Sequence, residues 1–222
     1  MQIKNISFDL WLTLIKSHPQ FKRKRAEFIA DSFNPKGLSV FEIEKIVYET
    51  DKIIDRYNEM TGRKMPATQM YSTIMKRISG VESPDQTASV EKKSSDLFLE
   101  YSPELLNSHI PELLSRLKEE GFTLNLASNT GFIEGKTLRV VLERMGILSL
   151  FSFCIFSDEI NASKPSRAFF QQVYDHMDVR KEQVLHIGDN PKSDYKGASD
   201  FGFSALLITT TNYTIHDIKA KL

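Results

Sequence analysis

Five short apolar runs, the first four running into small or polar residues, constrain the fold of this chain more than any other feature. "IKNISF" runs into Asp9, "FTLNLAS" ends at Ser128, "SFCIF" ends near Ser157, "VLHI" ends at Gly188 and "SALLIT" ends near Thr210. Their length and β-rich content predict strands. The stretches between them have helical spacing. "PELLSRLKEEG" sets Leu113, Leu114 and Leu117 on one side and stops at Gly121, and "EGKTLRVVLERMG" stops at Gly146. "PSRAFFQQVYDHM" begins with a proline, Pro165, suited to a first helical turn. Strand and helix alternating in this way predict an α/β fold with a parallel sheet. Its working loops are expected at the carboxyl ends of the strands, where open sheets of this kind place ligands.

The stretch from about Pro19 to Tyr101 breaks the alternation. It carries four helical patterns and no strand: "FKRKRAEFIADSF", "VFEIEKIVYETDKIIDRYNEM", "ATQMYSTIMKRI" and "TASVEKKSSDLFLEY", separated at "NPKG", "TGRKMP" and "GVESPD". In the second pattern Ile43, Ile46, Val47, Ile53, Ile54 and Tyr57 are expected to form the apolar face. Phe21, Phe28 and Phe33 read as packing, with one of them free to face a cleft. The expected division is a core from 1–16 and 103–222 and an all-helical cap over 17–102, inserted after the first strand.

A chain of 222 residues and 25.5 kDa has room for a core of about 150 residues with such an insert. Basic and acidic residues both number 29, so no net charge steers the chain to nucleic acid. The one dense basic cluster is "KRKR" at Lys22 to Arg25. A solvated helix face accounts for it, and a local lure for an anionic substrate is the alternative. No apolar run approaches the roughly 20 residues that span a bilayer, so a soluble chain without a membrane partner is expected. "MQIKNISFDL" lacks the pattern of a secretory signal, and the single cysteine, Cys154, reads as a buried thiol in a reducing, cytoplasmic compartment. Sequence motifs for a nucleotide-binding P-loop, a dinucleotide fold, an HExxH zinc site and a paired-cysteine zinc site are all missing. Nothing in the sequence selects between monomer and homodimer.

Polar residues collect at four successive strand ends. Asp9 and Thr13 follow the first, Ser128 and Asn129 the second, Lys164 of "SKP" the third, and Asp189 and Asp194 of "GDNPKSD" the fourth. Three carboxylates converging on one cleft repel one another unless a cation shares the site. Mg2+ suits hard oxygens, here Asp9, Asp189 and Asp194 with a backbone carbonyl near Trp11. Asp9 would then attack phosphorus to form an aspartyl-phosphate, with Ser128 donating to the phosphoryl group and Lys164 adding a charge beside both. Thr13 is expected to steady the loop or its nucleophile, and Asn129 to orient substrate. Asn190 is expected to shape the metal loop.

"FDLWLTL", "LASNT", "SKP" and "GDNPKSDYKGA" resemble, in order and spacing, the four signature motifs of the haloacid dehalogenase-like (HAD) hydrolases. The helical insert resembles the type C1 cap of that superfamily. The resemblance implies a Rossmann-like core whose first strand is central, flanked by the second and the fourth. It also implies a nucleophile at Asp9, a phosphate-binding hydroxyl at Ser128, a lysine at Lys164, magnesium carboxylates at Asp189 and Asp194, and a cap that closes the site against water.

The chain departs from the commonest phosphatase pattern at Trp11, where those relatives carry a second aspartate that protonates the leaving group and activates water. Indole Nε1 donates a hydrogen bond but does not cycle a proton near neutral pH. A phosphatase built this way should be slow on alkyl phosphates and less impaired on aryl or acyl phosphates. Leu12 likewise replaces the glycine that usually follows.

An aromatic residue at this place also occurs in the metal-independent 2-haloacid dehalogenases. Those lack a counterpart of Asp189, and their carboxylate substrates would meet Asp189 and Asp194 at close range. Phosphonate cleavage would require a cap lysine, for which Lys52 is a candidate whose simpler role is solvated surface. A catalytically weak binding or regulatory protein is the remaining alternative. His18 with Pro19 reads as linker, and His176, His186 and His216 have no ligand-like spacing. The expectation is thus a magnesium-dependent phosphatase for a small phosphorylated metabolite.

Overall fold

The structure, a computed structural model, describes residues 2–220. Five parallel strands form the central sheet: β1 (Asn5–Phe8), β4 (Thr123–Ser128), β5 (Phe153–Phe156), β6 (Val184–Gly188) and β7 (Ser204–Leu207). Their order is β5-β4-β1-β6-β7, so the first strand is central and lies between the second and fourth of the sheet. Ser7 faces Asn125 on one side and His186 on the other, and this register brings the carboxyl ends of β1, β4 and β6 level. β1 is buried at every position, as a strand covered on both faces requires. The strip of the core beside it includes Ile6, Phe8, Leu126 and Ile187. The last run forms a strand only to Leu207, short of the expected end near Thr210.

Helices cover the sheet where their spacing predicted. α5 (Ile110–Glu119) buries Leu113, Leu114 and Leu117, and α6 (Gly135–Arg144) buries Leu138, Val141 and Leu142. α8 (Arg167–Tyr174) departs from expectation at its start. Ser166 is the cap, accepting from the Phe169 amide at 3.2 Å, while Pro165 sits one residue before it in a cis peptide bond with Lys164. The proline thus shapes the loop that carries Lys164 and is not part of the first turn. Short helices α7 (Ser157–Ile160), α9 (Gly197–Phe201) and α10 (Ile215–Lys219) complete the core; α10 joins α5 and α6 in one apolar cluster, and α9 joins α8 in another.

Four helices fill the insertion: α1 (Phe21–Phe33), α2 (Val40–Thr61), α3 (Ala67–Ser79) and α4 (Pro84–Glu100). α2 starts in a capping box, Ser39 with Glu42, and ends at Gly62 in the left-handed region that an unbranched backbone tolerates. The insert has its own apolar core of Ile29, Ile43, Val47, Ile54, Met70, Tyr71 and Ile74. The buried stripe of α2 is Ile43, Val47, Thr50, Ile54 and Asn58. Ile53 and Tyr57, expected on that face, are 64% and 41% exposed. Two polar residues replace them inward because partners await both. Thr50 accepts from Arg77 at 2.7 Å, and Asn58 accepts from the Met65 amide at 3.0 Å. A pair of two-residue antiparallel strands, β2 (Ile15–Lys16) and β3 (Glu104–Leu105), ties the two chain crossings together and was not foreseen. The helical insertion over the parallel sheet matches a cap domain. No helix among the described residues is long and apolar enough to cross a membrane.

Candidate active site

Asp9 leaves the end of β1, and its amide donates to the Ile187 carbonyl of β6 at 2.8 Å, which fixes where the side chain emerges. The chain then doubles back, Leu14 and Ile15 both donating to the Leu10 carbonyl. Leu12 turns this loop with φ at +56°, a conformation that costs a branched residue on the order of 1 kcal/mol. After β6 the chain enters a π-helical turn, Pro191–Lys196, in which Asp194 and Tyr195 donate to the Asn190 carbonyl. The Asn190 side chain accepts from the Lys192 and Ser193 amides, both at 2.9 Å, and so shapes this loop. Gly188 is required here: a Cβ on it would lie 2.3 Å from Asp194 Cγ.

These two loops and the loop after β5 bring one buried lysine onto two carboxylates. Lys164 Nζ donates to Asp9 Oδ1 and to Asp194 Oδ1, each at 2.6 Å, and to the Ala127 carbonyl at 2.7 Å. All three ammonium donors are used, and the side chain is 1% exposed. Asp189 completes the group, since one ligand oxygen each from Asp9, Asp189 and Asp194 lie within 4.8 Å of one another. A buried cluster of three carboxylates can coordinate a divalent metal ion.

The electrostatics follow from burial and proximity. Burial raises the Asp9 carboxyl above the usual range, with Lys164 opposing and Asp194 and Asp189 adding to the rise. Asp189 is raised by burial and by Asp194. At Asp194 burial also favours the neutral form, but Lys164 and His186 outweigh it and hold the group below the ordinary carboxylate range. Burial alone would lower Lys164, yet Asp194 and Asp9 keep it charged. His186 was not foreseen as part of this network. Its Nε2 lies 3.2 Å from Asp194 Oδ1 and its Nδ1 3.1 Å from Ser7 Oγ, while burial lowers its basicity. A polar residue midway along an otherwise apolar strand, in register with a serine, was the available signal.

Thr13 is buried with its hydroxyl 3.5 Å from Asp9 Oδ2. Asn129 locks the lysine loop from both sides, donating to the Lys164 carbonyl at 3.0 Å and accepting from its amide at 2.8 Å. Ser128 is fully buried and its hydroxyl donates to the Asn129 carbonyl at 3.1 Å. Trp11 is half-buried at the edge of the same cleft. Lys52 is exposed on α2, also at the cleft edge, with its ammonium 5.7 Å from the Tyr48 ring. Cys154 is a buried free thiol, pushed up to about 11 chiefly by burial.

The cluster opens into a cleft of about 810 Å³ roofed by α1 and α2. Six basic side chains and six carboxylates line it, so a bound divalent cation leaves the cleft net positive and suited to an anion. The insert is also tied to the core beside the cluster. Glu59 pairs with Lys192 at 2.7 Å, the Ser163 amide donates to the Gly62 carbonyl at 2.9 Å, and Lys64 donates to the Gly131 carbonyl at 3.1 Å.

A parallel sheet with a buried acidic cluster at its carboxyl edge, roofed by inserted helices, defines a capped Rossmann-like protein with a candidate metal centre. The family model for haloacid dehalogenase-like hydrolases matches residues 3–202, and the chain belongs to that family. It is 23% identical over 214 residues, 95% of this chain and 86% of the other, to the glyceraldehyde 3-phosphate phosphatase of Methanopyrus kandleri. Among solved structures it is similar to YfnB of Bacillus subtilis bound to magnesium, with a TM-score of 0.74 at 20% identity over 97% of this chain and 92% of that one. The 2-haloacid dehalogenase of Pseudomonas syringae pv. Tomato DC3000 gives a TM-score of 0.67 at 19% identity, covering 96% and 89%. The fold is thus shared with a 2-haloacid dehalogenase and does not by itself select the reaction.

Proposed function

We propose that this hydrolase is a magnesium-dependent phosphatase of small phosphorylated metabolites, with Asp9 as nucleophile. The observation that carries this reading is Lys164 bridging Asp9 and Asp194 with Asp189 in reach. A haloacid substrate would bring its carboxylate against three others, whereas a phosphoryl group shared with a metal ion relieves their repulsion. The likeness to a glyceraldehyde 3-phosphate phosphatase over nearly the whole chain supports the same choice.

Asp9, Asp189, Asp194 and the Trp11 backbone carbonyl would hold Mg2+, which supplies charge neutralisation at the phosphoryl oxygens. Lys164 fixes Asp9 Oδ1, which leaves Oδ2 to attack phosphorus. The aspartyl oxygen–phosphorus bond forms as the bond to the leaving oxygen breaks. Ser128 donates to the phosphoryl group on turning from the Asn129 carbonyl, Asn129 holds the Lys164 loop in place with both ends of its amide and reaches substrate only through its remaining N–H, and Thr13 steadies Asp9. Trp11 stands in the place of the second aspartate, so water must supply the leaving group's proton. Water then cleaves the adduct and returns the Asp9 carboxylate. The insert acts as a type C1 cap over 17–102, with the core at 1–16 and 103–222.

The test is phosphate and halide release across aryl, acyl and sugar phosphates, phosphonates and 2-haloacids, each with Mg2+ and with EDTA. Magnesium-dependent phosphate release, lost in Asp9→Asn, is the expected result. Halide release that survives EDTA would instead place the chain among the dehalogenases.

A further inference from the structure

Of the four basic residues in "KRKR", two are neutralised on the helix surface. Arg23 and Lys24 both pair with Glu27, at 3.0 and 2.9 Å. Lys22 and Arg25 instead line the cleft that holds Asp9 and Lys164. Arg25 is 5% exposed, and its buried Nε has no hydrogen-bond partner. Its guanidinium carbon lies 5.1 Å from the Phe21 ring centroid and 5.0 Å from that of Phe132.

Two aromatic rings ease the burial of a positive charge but offer no acceptor in the plane of its N–H groups. The buried Tyr71 hydroxyl lies within hydrogen-bonding reach of the guanidinium, but a neutral phenol does not compensate a buried charge, which is costly without an anion. Asp51, across the cleft on α2, feels the charge of Arg25, but its carboxyl is raised mainly by burial and leaves Arg25 Nε unmet. A buried arginine without an anionic partner therefore lines the cap side of a cleft whose core side carries the carboxylates and Lys164.

We propose that Arg25 binds a carboxylate at the far end of the substrate, so that the preferred ligand carries a phosphoryl group at one end and a carboxylate at the other. This inference rests on the phosphatase reading. A planar guanidinium matches a carboxylate in two parallel hydrogen bonds. The neighbouring Asp51 makes a second phosphoryl dianion the poorer fit. Phe21 and Phe132 supply the apolar walls that keep water from competing for the fork.

The experiment is titration calorimetry with Mg2+ present. It compares ω-phosphonocarboxylates of increasing chain length with ω-hydroxyalkylphosphonates of the same lengths. At the best-fitting length the carboxylate should bind about 10- to 100-fold more tightly, the range of a charge-assisted bidentate pair. Arg25→Met should remove that preference by weakening the carboxylate series, and Arg25→Lys should restore part of it. A purely structural arginine would lower the thermal midpoint in Arg25→Met and leave the ratio untouched. Equal binding of the two series by the wild type, or a preference that survives Arg25→Met, overturns the proposal. The wild-type comparison decides the matter even if the methionine variant does not fold. If hydroxyalkylphosphonates bind and phosphate is released but no carboxylate preference exists, Arg25 alone is misassigned. If neither series binds and no phosphate is released, the phosphatase reading falls with it.

Discussion

Trp11 sets its indole against the Phe98 ring of α4, the centroids 6.1 Å apart and the planes at 63°. Phe98 in turn stands edge-on to Phe21 of α1 at 5.2 Å. The loop that bears Asp9 is thus packed against the last helix of the insert and through Phe98 linked to the first, and an aromatic residue serves that contact where a carboxylate would not. Trp11→Asp exchanges packing for a proton-transfer group. Hydrolysis of alkyl phosphates should rise by about 100-fold relative to aryl phosphates, within the usual span of general acid and base help. Stability should fall by about 1–2 kcal/mol from lost aromatic contact and burial. Rates on a matched alkyl and aryl pair, with urea unfolding of both proteins, check this. An unchanged alkyl rate would mean that the loop geometry serves a different reaction.

Lys164 is the only lysine or arginine that Asp9 and Asp194 touch among the described residues, and removing it leaves two buried carboxylates facing each other. Lys164→Met should cost about 3–5 kcal/mol, as breaking buried pairs does. Asp9→Asn keeps the contact between Lys164 and Asp194 and relieves a desolvated charge. It should unfold at or above the wild-type denaturant midpoint while turnover is lost. Equal destabilisation by the two changes would contradict the asymmetry argued here.

The strand ends were legible because small or polar residues close the apolar runs, and that pattern put Asp9, Ser128 and Asp189 at one edge of one sheet, while Lys164, which follows β5 only after α7, was marked by its "SKP" context. What escaped was set by partners distant in the chain. Ile53 and Tyr57 have the right spacing for an inward face, but Arg77 and Met65 draw Thr50 and Asn58 inward instead. His186 shows in sequence only as a polar residue inside an apolar run, because its tie to Asp194 depends on how β6 runs into the π-helical turn. In "KRKR" nothing local separates Arg25 from Lys24. Helical phase and the position of Glu27 divide them.

Metal binding should stabilise the protein through Asp9, Asp189 and Asp194. Mg2+ at about 100 times its dissociation constant contributes about 2.7 kcal/mol. For a chain of this size that is a rise of about 5–10 °C in thermal midpoint, reversed by EDTA. Asp189→Asn removes one ligand and one source of repulsion. It should unfold at or above the wild-type temperature without magnesium and show a much smaller rise with it. A midpoint insensitive to Mg2+ in the wild type would rule out these carboxylates as its site.

Lys64 joins the insert to the loop after β4, and its titration gives that joint a pH signature. Its ammonium donates to the Gly131 and Met65 carbonyls at 3.1 and 2.8 Å, and the residue is 4% exposed. Burial brings it from 10.5 down to about 8, although Asp158 and Asp55 pull the other way. Between these two values the unfolded chain still holds the proton and the folded chain has given it up. The unfolded state then binds more protons, so this residue's contribution to stability rises with pH through the window. At neutral pH the buried charge is a cost, and alkali relieves it by up to about 3 kcal/mol. Comparison with Lys64→Met isolates the effect, because the other titrating groups are common to both chains. In urea unfolding the stability of the wild type relative to Lys64→Met should increase from about pH 7.5 to about pH 10. A difference that stays flat or falls would show that the ammonium is not desolvated at the joint.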